Sequence, residues 1–147
     1  MEVIGFNFTK IFAERFPQFH QETSINTNVE FTECTRETLD FLKDKEGIRM
    51  VFKFTILYNS RESKDAKKDV KGGEVLFEGH LLIASEKELA KDLWKAWKKK
   101  EIPVGIKVPL FNLIIRKCAA RALDLEDSVG LPSHMPIPQL TPKQQEQ

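Results

Sequence analysis

Every second residue from Ile48 to Tyr58 is apolar: Ile48, Met50, Phe52, Phe54, Ile56 and Tyr58, with Arg49, Lys53 and Thr55 among the residues between. Successive side chains of a strand point to opposite faces, so this run predicts a strand with one unbroken apolar side that another layer must cover. The rest of the chain can be sorted into what pairs with that strand and what lies on it.

Three more runs have strand character. Ile4 to Phe16 places Ile4, Phe6, Phe8, Phe12 and Phe16 on even positions, and Pro17 ends it. Thr23 to Glu33 puts Ile25, Val29 and Phe31 on one face and Asn26, Asn28 and Glu30 on the other. Glu74 to Ala84 carries Val75, Phe77, Leu81 and Ile83 on one face, interrupted by Gly79, with Leu76 and Leu82 on the other. Apolar residues on both faces mark this last strand as central and covered on both sides. Thr35 to Glu46 is polar and reads as a helical turn or a loop. Asn59 to Lys71 is charged in both signs and reads as a solvated, mobile hairpin loop that Gly72 and Gly73 close.

The covering layer comes last in the chain. Ser85-Glu86-Lys87-Glu88 fits a capping box, and Leu89, Ala90, Leu93, Trp94 and Trp97 follow at helical spacing. Ile102 to Gly105 breaks the helix, and Pro109 is expected in the first turn of a second helix running to about Ser128. Gly130 is its expected terminator, and the prolines of Leu131 to Pro138 require an extended strap. Strands first and helices last predict an α+β fold: a four-stranded antiparallel sheet with two C-terminal helices on one face. Residues 1–140 form one domain in this reading, and 141–147 a flexible polar tail.

Composition removes several function classes. The 147 residues contain no long apolar run, so no membrane span is expected, and the amino-terminal residues lead to no expectation of a secretion signal. Cys34 and Cys118 lie far apart without metal-ligand spacing and read as reduced thiols of a cytoplasmic protein. His20, His80 and His134 lack a second ligand at zinc spacing, no carboxylate pair sits in an apolar context, and no phosphate loop is present. The expectation is therefore a non-enzyme without a cofactor.

Two features remain. Eleven Phe and two Trp exceed what two helices on one sheet face can bury, which leaves apolar surface for an oligomer interface or a polypeptide groove. The charge is also uneven: residues 91–121 hold nine basic and two acidic side chains, although the whole chain is only +1. That basic run includes Lys91, Lys95, Lys98, Lys99, Lys100, Lys107, Arg116, Lys117 and Arg121. It is either a solvated helix face or a phosphate-tracking patch of an RNA- or ribosome-associated protein.

The serial pattern resembles the SecB family of export chaperones. GGEVLFEGHLLIAS looks like that family's last strand, EKELAKDLWKAW its first helix, VPLFNLIIRKCAARAL its second, and GLPSHMPIPQL its proline-rich segment. The likeness is carried mainly by residues 73–140. Leu110, Phe111 and Asn112 replace the acidic-aromatic pair of the family, Gly130 stands for its double glycine, and its basic motor-docking tail is missing. The resemblance implies an ATP-independent chaperone that holds unfolded polypeptide in apolar grooves, as a homodimer or dimer of dimers. Its implied groove residues here are Trp94, Trp97, Phe111 and Ile115 from the helices, with Met135 and Ile137 from the strap.

Overall fold

The computed structural model describes residues 1–20, 23–60 and 70–142. Four strands, β1 (Glu2–Arg15), β2 (Thr23–Glu37), β3 (Glu46–Ser60) and β4 (Val70–Ser85), are followed by helices α1 (Lys87–Lys98) and α2 (Val104–Val129). The strands form one antiparallel sheet in the order β1-β4-β3-β2. The expected α+β layout is thus the observed one, with β3 and β4 central and β1 and β2 at the two edges. The charged stretch of residues 61–69 and the terminal residues 143–147 lie outside the described residues.

Directly opposed residues of paired strands share a face. Ile48, Met50, Phe52, Phe54, Ile56 and Tyr58 of β3 therefore face the same way as Val75, Phe77, Leu81 and Ile83 of β4, and all ten are fully buried. Both helices cover this face. α1 contributes Ala90 and Leu93, and α2 contributes Leu110, Ile114, Cys118 and Ala122, which continue the same core. The α2 residues recur every fourth position, forming one inclined ridge on the helix. α2 accordingly crosses the sheet obliquely, from Phe31 of β2 at its start to Phe6 and Phe8 of β1 farther on. Gly79 leaves room for this packing. A Cβ there would fall against the Asn7 carbonyl oxygen and within 2.7 Å of the Phe52 ring.

Several expectations need correction. β1 does not keep its even positions on one face, because register shifts at Ile4 and Thr9 insert one extra residue each. Phe6 and Phe8 face the helices together with Val3, Ile11 and Ala13, whereas Phe12 opposes Leu76 on the other face. Phe16 lies beyond the strand, its N–H bonded to the Gly72 carbonyl at 2.9 Å. β2 runs on to Glu37, past a shift at Thr32 that keeps Cys34 on the helix face. β4 is central, but no helix or strand among the described residues covers its second face. Leu76 is only 7% exposed there because its neighbours Phe12 and Thr55 crowd it within the sheet.

The helix starts also differ. No capping box forms: the N-cap of α1 is Glu86 without a side-chain bond, and the buried Ser85 hydroxyl donates to the Glu86 carbonyl at 3.2 Å. α2 begins at Val104 after Pro103, one and a half turns earlier than Pro109 suggests, and Pro109 sits inside the helix. Its end is as expected. Gly130 adopts a left-handed φ of 72°, and the Leu131 N–H closes on the Glu126 carbonyl at 2.8 Å. The strap that follows is not helical, and Leu131 is buried at its base.

Candidate functional site

The connection between the helices builds a pocket. α1 ends in a tight left-handed cap: Lys100 has φ 59°, its N–H bonds the Trp97 carbonyl at 2.9 Å, and the Glu101 N–H bonds the Ala96 carbonyl at 3.0 Å. Pro103 then opens α2, whose first N–H groups return to the Pro103 carbonyl. This reversal brings Trp97, in the last turn of α1, close to Phe111, in the third turn of α2. Beneath them lie Val29 and Phe31 on the helix face of edge strand β2, and Phe31 meets Phe111 with ring centroids 4.9 Å apart. Ile102 completes the apolar wall, Lys100 and Lys107 supply the polar rim, and Glu30 borders the pocket from between Val29 and Phe31.

The pocket holds about 190 Å³. Sites for drug-sized ligands measure ~300–1,000 Å³, so this one suits a single side chain. The lysines of the rim lie over its aromatic rings: the Lys100 ammonium is 4.1 Å from the Trp97 ring centroid and that of Lys107 is 5.4 Å from that of Phe111. Neither lysine is in an ion pair among the described residues. The sheet residues that line the pocket all belong to β2, which pairs only with β3 among the described residues.

The six groove residues inferred from the sequence are distributed unevenly. Trp97 and Phe111 meet in the pocket. Trp94 packs into the helix–sheet core, with Arg36 over its ring at 5.6 Å and its indole N–H buried without a partner among the described residues. Ile115 is 41% exposed one turn beyond Phe111. Met135 and Ile137, 40% and 54% exposed, lie in the strap at the opposite end of α2. Val29, Phe31 and Ile102 were missed as pocket residues. The alternation of β2 puts Val29 and Phe31 on the covered face, but only the strand order shows that this face is left open at an edge. The eight basic residues of the alternative reading (Lys91, Lys95, Lys98, Lys99, Lys100, Arg116, Lys117 and Arg121) are all exposed. They reach opposite edges of the sheet: Lys100 covers Trp97 beside β2, while Lys117 and Arg121 lie over Phe6 and Phe8 of β1.

A second cluster holds the strap. Glu126 occupies the next position of the α2 ridge and is 1% exposed. The Tyr58 hydroxyl donates to its Oε2, and His134 Nδ1 lies 2.7 Å from its Oε1. Burial, the hydrogen bond to Glu126 and the nearby negative charge all push the Tyr58 phenol up from its ordinary value. The cluster ties β3, α2 and the strap together. His20 is held by its backbone N–H on the Ser60 hydroxyl, and His80 lies on the uncovered sheet face opposite Asn7 and Val51.

No group of His, Cys, Asp or Glu among the described residues is placed to hold a metal ion. Burial pushes the Cys34 thiol up to about 11 and the Cys118 thiol up to about 12, the latter against the opposing charge of Arg121. Both stay protonated at neutral pH, which suits packing rather than nucleophilic attack. No helix of the described residues is long and apolar enough to cross a membrane.

A scan against protein families finds no match, and neither does a search of curated proteins. Among solved structures, the fold is similar to a SecB-like chaperone of Mycobacterium tuberculosis solved in complex with a peptide from an antitoxin. The likeness covers 96% of this chain and 91% of that one, at 13% sequence identity and a TM-score of 0.44.

Proposed function

We propose that the chain is a polypeptide-binding module that holds extended or unfolded segments by apolar contact, without ATP, in the manner of a SecB-like chaperone. The observation that carries this reading is the Trp97–Phe111–Phe31 pocket at the free edge of β2. A pocket for one side chain, placed beside an unpaired strand edge, matches what an extended chain offers: backbone groups for the edge and a side chain for the pocket. The sequence resemblance to the SecB family supports the same reading, and it implies assembly into a dimer or dimer of dimers. Several weak contacts along one client chain then add through effective concentration. Ile115, Met135 and Ile137 are exposed apolar residues that a longer client can reach.

The test is the fluorescence anisotropy of a labelled, permanently unfolded protein at low and high salt, with a structured RNA alongside. Binding that persists at high salt and weakens on Trp97→Ala or Phe111→Ala is expected. RNA binding that collapses with salt, with no polypeptide signal, assigns the lysines and arginines of residues 91–121 to nucleic acid and rejects the proposal.

A further inference from the structure

Lys100 is the point where this structure departs from the simplest way to build itself. The left-handed position that closes a helix is normally glycine, because a Cβ crowds the backbone there. α2 follows that rule with Gly130, whereas α1 places Lys100 in the same conformation, at φ 59°. Backbone outliers of this kind are kept where the side chain has work to do. The strained backbone carries the Lys100 ammonium over Trp97, and Lys107 does the same over Phe111 from the other wall. The two cations therefore cap the two rings that form the pocket. Glu30 is the one acidic residue lining the pocket, and the alternation of β2 turns its side chain to the sheet face away from the helices, where it stands directly opposite Lys53. Lys98 and Lys99 extend the positive charge along the end of α1.

We infer that the pocket selects an aromatic side chain flanked by carboxylates in an extended peptide, and that Lys100 and Lys107 set this preference. An apolar residue alone must displace the ammonium groups from the rings and offers them nothing in return. A segment that carries Asp or Glu beside its aromatic residue pairs with the lysines as its ring enters between Trp97 and Phe111. The inference rests on the polypeptide-binding reading of this pocket and adds the sign of charge to it.

Three labelled peptides test it on the full chain, each with one central Phe in a polar background and flanked by Glu, Gln or Lys. At low salt the expected order of affinity is Glu, Gln, Lys. Two exposed ion pairs of ordinary strength multiply to a factor on the order of ten between the extremes. High salt should compress that range. Lys100→Gln and Lys107→Gln should each reduce the preference. Lys100→Gly should reduce it equally while raising Tm by a few degrees, an effect of the backbone that Lys100→Gln lacks. Equal binding of all three peptides overturns the charge preference and leaves the groove reading standing. Failure of all three together with the unfolded protein overturns both. Displacement of the Glu peptide by structured RNA at lower concentration assigns the two lysines to phosphate and also overturns the inference.

Discussion

Glu126 is buried on a helix face otherwise made of Leu110, Ile114, Cys118 and Ala122, and it stays there because Tyr58 and His134 both reach it. Removing one partner of a buried carboxylate costs ~1–3 kcal/mol, so Tyr58→Phe should lower the unfolding free energy from urea titration at neutral pH by an amount in that range. The same tyrosine predicts behaviour in alkali. Its folded pKa is raised above its ordinary 10.0, and those of Cys34 and Cys118 are raised from 9.0 to about 11 and about 12. Groups shifted upward contribute stability that is complete below the unfolded pKa and lost as pH climbs toward the folded one. Unfolding free energy measured by urea titration should be flat up to roughly pH 9 and fall above it, and Tyr58→Phe should make the fall shallower beyond roughly pH 10. The thiols offer a separate check at neutral pH. Ellman's reagent should label the half-buried Cys34 slowly and the fully buried Cys118 only after denaturant is added. Glu126 was legible in principle, since it lies in phase with the four-residue spacing of the ridge. Its partners were not, because Tyr58 lies 68 residues away in sequence.

Elements were read best where their period was undisturbed. β3 alternates without a break over its central residues, and the structure keeps every one of them on the assigned face. β1 has the same alternation in sequence, yet two bulges move Phe12 to the opposite side from Phe6 and Phe8. A bulge adds one residue, which period counting does not register; Gly5 marks the first of the two, whereas Thr9 gives no sign of the second. The helix ends show the same contrast. Gly130 announces a left-handed cap by its identity, whereas Lys100 occupies one against its preference. Gly130→Ala should therefore destabilise by ~1 kcal/mol, through the strained φ rather than through lost packing. Chemical denaturation of the variant, with α2 helicity followed by circular dichroism, measures it. The pocket itself depends on three elements, α1, α2 and β2, whose meeting follows from the strand order and the oblique path of α2. Trp97 and Phe111 could be nominated one by one, but their contact with Phe31 required the topology.

At the scale of the molecule, protection should follow the sheet order. β3 and β4 are hydrogen-bonded on both sides and carry most of the buried side chains, while β1 and β2 each have one edge that pairs with no strand among the described residues. Native-state hydrogen exchange should show its slowest amides in β3 and β4, with alternate amides of β1 and β2 exchanging faster. Slow exchange throughout β2 would instead mean that its edge is occupied in solution. The order β1-β4-β3-β2 has a further consequence for how the chain comes into being. β2, β3 and β4 pair with the strand next to them in sequence, but β1 pairs only with β4, the last strand of the sheet. During synthesis from the amino end, β1 leaves the ribosome first, with Phe6, Phe8 and Phe12 unpaired, and waits until Val70–Ser85 has followed. A chain proposed to hold exposed apolar segments thus presents one of its own while it is being made.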